Sequence, residues 1–109
     1  MENPTIKVLY TNLGWFIAKV EELPAREIGE PDCALIDTCI WSEIDNSHYH
    51  DEDGNHIDAP EDAPKFHVIR FPGKTVSPDT KIAFHSSNIM TIVEPSQALL
   101  SEYLITISD

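Results

Sequence analysis

The sequence predicts an all-β fold, a small barrel or sandwich of short antiparallel strands, followed by one short C-terminal helix. Three observations lead there. Apolar and β-branched residues alternate with polar ones in short runs, turn residues punctuate those runs at regular spacing, and helical spacing emerges only after Pro95. At 109 residues the chain is long enough for one core and too short for two. A single domain over residues 1–109 is expected, with an acidic insertion at about 45–64.

The elements follow in order. Ile6, Val8 and Tyr10 alternate, and Asn12-Leu13-Gly14 offers a tight reversal because Gly14 tolerates φ > 0 and Asn12 suits a turn. Thr5 to Thr11 should therefore pair with Trp15 to Leu23, which Pro24 ends. Ala25 to Asp32 carries Gly29, Pro31 and four charges and reads as a loop or a single helical turn. Cys33 to Ile44 resumes the strand pattern with neither face cleanly polar, as expected of a central strand or one that bends midway.

Asp45 to Pro64 has no hydrophobic period; at about 20 residues it exceeds the 12–15 beyond which loops are usually functional or disordered. Lys65 to Phe71 reads as a strand closed by Pro72-Gly73. A further strand from Lys81 to His85 meets the polar corner His85-Ser86-Ser87-Asn88, and Ile89 to Val93 leaves it. After Pro95, the residues Ala98, Leu99, Leu100, Tyr103 and Leu104 fit a helical stripe. Leu104 to Ile107 could equally add an edge strand; the reading adopted is a short helix and then a strand or tail.

Charge is distributed unevenly. The formal charge is −12, from 19 acidic against 7 basic residues. Twelve of the acids lie between Glu27 and Pro64, where there is no Lys or Arg, so the rest of the chain is neutral with seven of each sign. Such a surface disfavours a broad nucleic-acid interface and adhesion to an anionic membrane. Met1 to Thr5 lacks a cationic flank and an apolar run, and no stretch approaches the roughly 20 apolar residues of a membrane span, so a soluble, cytoplasmic protein is expected.

Candidate chemistry is sparse. Cys33 and Cys39 are the two cysteines; six residues apart on one strand they would stand about 20 Å from each other, well beyond the roughly 7 Å limit for a disulfide. Reduced, half-buried thiols are expected. Cys39 beside His67 is conceivable as a nucleophile pair, yet no local motif singles it out. The four glycines lie far apart and form no phosphate loop. An enzyme is therefore not expected. The acidic excursion collects His48, His50, Asp51, Asp53 and His56, a donor set suited to a first-row divalent metal, and His48-x-His50 would place two imidazoles on one side of an extended segment. The competing reading is a solvated, charged loop tip. A calcium loop fails because, with Gly54 at the turn position, the first ligand position falls on Tyr49.

The final pair of strands, Ile82-Ala83-Phe84-His85-Ser86-Ser87-Asn88-Ile89-Met90-Thr91-Ile92, resembles the second signature of the Sm and Sm-like proteins. There an apolar strand enters a short polar turn, usually Arg-Gly, and a second apolar strand leaves it; His85-Ser86 stands at that turn here. The first half looks like the first signature, with a reversal ending in Gly14, a long strand from Trp15, and a later strand with Leu35 and Asp37. The nearest likeness is to divergent Sm-like proteins of viruses, cyanophage among them, and of marine metagenomes. This resemblance implies a strongly bent five-stranded Sm-like or SH3-like barrel whose edge strands pair between subunits into a homo-oligomeric ring of five to seven copies. Met90, Ile92, Phe84 and Trp15 would be buried at that interface, or would otherwise fill a monomeric barrel. It further implies a central pore binding single-stranded RNA, weakly here, through Asp32, His85, Ser86 and Asn88. His85 would stack on a base, and Asn88 would hydrogen-bond a base edge or serve the turn alone.

Three functions are thus expected in order: a ring-forming RNA-binding module, a structural adaptor of phage or microbial origin whose acidic loop contacts a basic protein, and a metal-binding domain built on the loop histidines.

Overall fold

In the computed structural model, residues 5–24, 27–45, 49–61 and 63–108 are described. Six strands and one helix succeed one another: β1 (Thr5–Thr11), β2 (Gly14–Glu22), β3 (Cys33–Glu43), β4 (Phe66–Arg70), β5 (Lys81–Phe84), a 3-10 turn at Ser86–Asn88, β6 (Ile89–Val93) and α1 (Gln97–Ile107). The β1–β2 hairpin turns where expected. Gly14 takes φ +122°, and the buried Thr11 hydroxyl accepts from the Leu13 amide at 3.0 Å and donates to the Gly14 carbonyl at 3.1 Å.

The strands form one antiparallel sheet in the order β4-β3-β2-β1-β6, with β5 also paired to β3. β3 is central: β2 lies along one side, while its N-terminal half carries β5 and its C-terminal half β4. Among the described residues no ladder joins β6 to β4 or β5, so the sheet is open. This corrects the expected five-stranded barrel. Closure requires strand tilt and stagger that bring the two edges together; here the outer side of β3 is divided between strands of only five and four residues. The Sm-like assignment falls with the barrel.

Both faces of the sheet are buried, which explains why β3 showed no clean alternation. Val8, Ile17 and Cys39 project to one face and meet Leu99 and Tyr103 of α1; Leu9, Phe16, Ala18 and Leu35 project to the other, beside Ile82, Phe84 and Ile89. The C-terminal segment is helix through Ile107, and no edge strand forms at 104–107. Ser96 caps it, its hydroxyl accepting from the Leu99 amide at 3.2 Å. Leu99 and Tyr103, four apart on one face, are its buried residues, whereas Leu104 is exposed.

Asp37 organises the junction where β3 passes from β5 to β4. Its backbone takes φ +51°, in the left-handed region that Asp tolerates better than most residues. Its amide donates to the Thr80 carbonyl at 2.7 Å, its own carbonyl accepts from the Tyr103 hydroxyl at 2.8 Å, and its carboxylate lies 3.0 Å from Lys19 and 3.7 Å from Arg70. Arg70 also donates to the Ile107 carbonyl at 2.7 Å, holding the end of α1 against β4.

Candidate functional site

The residues assigned to an RNA pore are only partly brought together. Asp32, leaving the loop before β3, accepts hydrogen bonds from the Ser86 hydroxyl and from the Ser86 amide, the latter at 2.7 Å. These bonds hold the Asp32 carboxyl below its ordinary range, and nearby His85 adds a smaller pull in the same direction. Asn88 acts through its backbone, its carbonyl accepting from the Asn12 amide at 3.2 Å and its amide donating to the His85 carbonyl at 2.9 Å. Asp32, His85 and Ser86 do share an open cavity of about 320 Å³, but Glu27 and Glu30 line it too. Three carboxylates lining it oppose a phosphate backbone, and an open sheet provides neither ring nor pore. The RNA-binding reading is corrected on both counts.

The metal reading is corrected as well. Among the described residues no group of three or more His, Cys, Asp or Glu side chains could hold an ion; His48 lies outside the described residues. The His50 and His56 rings approach edge to face at 5.9 Å across an isolated bridge, and Asp51 closes the turn between them by accepting from the amides of Asp53 and Asn55 at 3.0 and 2.9 Å. The local physics is that of an Asx turn, which commits the Asp51 carboxylate to backbone amides. Because the ring, the pore and the metal cluster all fail, the adaptor reading built on this acidic loop has no structural support either.

A site the sequence did not single out lies between α1 and the sheet. Tyr10 on β1 pairs with Trp15 on β2, Phe16 pairs with Ile40 so that Trp15 and Trp41 come side by side, and Glu43 on β3 pairs with Phe66 on β4. Register thus lays four aromatic rings in a row across four strands. Ring centroids are 4.8 Å apart for Tyr10 and Trp15, 5.6 Å for Trp15 and Trp41, and 5.8 Å for Trp41 and Phe66, the planes tilted by 48°, 48° and 80°. The Trp41 indole N–H donates to the Phe16 carbonyl at 3.3 Å, which fixes that ring.

Trp15, Trp41 and Phe66 wall a cavity of about 220 Å³ whose deepest residues are the buried Val8 and Leu99 and whose rim carries Glu43, Glu94 and Ser96. Glu94 is paired with Lys7. Glu43 is exposed and has no cationic partner among the described residues, so the rim keeps one uncompensated negative charge. Indole and phenyl faces carry the negative side of the ring quadrupole, so rings and carboxylate favour the same kind of occupant, a cation with an apolar skin.

Neither cysteine is set up as a nucleophile. Both are free and buried. Burial pushes the Cys39 thiol up to about 11, and burial with the neighbouring Asp32 charge raises that of Cys33. Among the described residues no helix is long and apolar enough to cross a membrane.

Residues 4–108 match the model of a family described only as a family of unknown function, DUF6561. No curated protein matches the chain.

Proposed function

We propose that this chain, which belongs to the DUF6561 family, is a non-catalytic binding domain that holds an organic monocation, a quaternary or methylated ammonium group, in the aromatic cavity under α1. The observation that carries the reading is the coincidence of Trp15, Trp41 and Phe66 with the unpaired Glu43 around one cavity. A methylated ammonium group spreads its charge over an apolar surface, so it loses little hydration on entering and gains contact with the ring faces. Each such contact is worth about 1–2 kcal/mol, and a partly exposed carboxylate adds less than about 1. Two or three contacts then give roughly 4 kcal/mol, a Kd of about 1 mM for the isolated cation, tightened by whatever carries it. The overall charge of −12 helps by repelling anions and attracting cations. Two buried, reduced thiols suit a reducing compartment, and the reading places the protein in the cytoplasm.

The test is a titration followed by intrinsic fluorescence, in which both tryptophans of the chain report on the cavity. Tetramethylammonium and trimethyllysine should change the emission with saturation near the millimolar range. A neutral tert-butyl isostere should bind at least about 10-fold more weakly, and Trp41→Leu should weaken the cation by a similar factor. Equal binding of the neutral isostere would show that shape and not charge is recognised, and would overturn the reading.

A further inference from the structure

Strand β6, Ile-Met-Thr-Ile-Val, carries no charge, proline or glycine along its five residues. One side pairs with β1 and the other is the end of the sheet. Met90 is 67% exposed and Ile92 52%. An apolar edge without charge, proline or a covering element accepts a further strand. The two ends of β6 differ from its middle. The chain enters it from the corner where the Ser86 amide and hydroxyl donate to Asp32, and the open cavity at that corner is lined by Glu27, Glu30 and Asp32 and by no described Lys or Arg. It leaves β6 at Glu94, whose side chain is mostly exposed beside Lys7. From Ile82 to Asp109 the sequence holds no Lys or Arg.

We infer that β6 binds a basic peptide, an extended segment with an apolar centre and lysine or arginine at its ends, which adds to the sheet as a strand beside β6. Main-chain groups of the edge supply the pairing, Met90 and Ile92 meet the apolar centre, and the acidic corner takes a cationic end. Charge selects this occupant. At −12 the chain repels a second copy of itself and any nucleic acid, and Glu27, Glu30 and Asp32 would oppose either one at the corner itself. A cationic peptide is drawn in by the same charges. Edge and corner are separate observations that select one ligand, the edge for its extended backbone and the corner for its sign. The dimensions agree as well. The five residues of β6 rise by about 16 Å, so a segment of about seven to nine residues covers the strand and reaches past both of its ends.

The probe is a peptide of alternating valine and threonine with a pair of lysines at each end, labelled for fluorescence anisotropy. The wild-type chain should bind it with a Kd of about 100 µM at about 50 mM salt, and about 10-fold more weakly at about 500 mM. Replacing both exposed acids, Glu27→Gln with Glu30→Gln, should weaken binding about 5-fold and leave the circular dichroism unchanged. Two altered peptides leave the protein untouched. One with glutamine in place of lysine, and one that keeps its lysines but is N-methylated along its centre and so cannot pair as a strand, should each bind at least about 10-fold more weakly. Hydrogen exchange of the β6 amides should slow when the lysine peptide is added. The site is separate from the aromatic cavity, so about 10 mM tetramethylammonium should displace no more peptide than the same concentration of sodium. No binding at about 1 mM peptide, equal binding of the N-methylated or the glutamine peptide, protection confined to β4, or displacement specific to tetramethylammonium would each overturn the inference.

Discussion

Asp37 shows how much one residue can fix. A left-handed backbone in mid-strand would be costly for a β-branched side chain, and Asp tolerates it while its carboxylate meets Lys19 and Arg70 and its carbonyl receives the Tyr103 hydroxyl. Asp37→Asn keeps the backbone tolerance and removes the charge from a half-buried group, and it should lower stability by about 1–2 kcal/mol in urea unfolding. Tyr103→Phe orphans the Asp37 carbonyl and should cost about as much. Asp32 makes a prediction in pH. Its carboxyl is held below the ordinary 3.8, so its bonds to Ser86 favour the folded state above that pH, and the benefit is lost as pH falls through the lower folded-state value. An NMR titration of Asp32 should return to the ordinary range in Ser86→Ala. The sequence marks Asp37 only as an acid on a strand, beside Leu35 in the likeness to the first signature, because its partners lie on β2, β4 and α1 and its backbone conformation leaves no trace in the spacing.

At the scale of elements, the hairpin and the strand limits were legible because turn chemistry is local. Asn12 to Gly14 placed the β1–β2 reversal, and Ile89 to Val93 is β6 to the residue. What was not legible was the connection between elements. The strand and turn pattern of an open sheet and of a small barrel can be alike along the chain, and only the pairing of β6 with β1 alone distinguishes them here. The aromatic cavity was hidden for a related reason. Trp15, Trp41 and Phe66 are far apart in sequence and each reads as a core residue; the register of β2, β3 and β4 sets them in one row, and α1, whose packing no strand pattern specifies, covers their end of the sheet. That helix depends on its caps. Ser96→Ala removes the acceptor for the Leu99 amide and should cost about 1 kcal/mol, and Leu99→Ala, which empties the helix–sheet contact, about 2–5 kcal/mol. Thermal unfolding followed by circular dichroism measures both, and the Leu99 variant should also weaken binding in the cavity it helps to line.

The whole molecule is longer than a compact chain of its size. Its Cα radius of gyration is 17.1 Å, with extents of 64 × 28 × 27 Å, where about 13 Å is usual for this length. Charge is concentrated in the acidic stretch between residues 27 and 64, and the remainder of the sequence is neutral. The aromatic cavity joins Val8, Trp15, Phe66 and Leu99 of that neutral remainder to Trp41 and Glu43 of the acidic part, Glu43 being its uncompensated charge. The claim on which the functional reading stands is that an organic cation rests on the indole faces of Trp15 and Trp41, and proton NMR observes that directly. On titration with tetramethylammonium, the ligand methyl resonance should move upfield under the ring currents and the two indole N–H resonances should shift together and saturate, with Trp41→Leu abolishing the ligand shift. Unmoved indole resonances, or shifts confined to the Asp32–Ser86 corner, would contradict it.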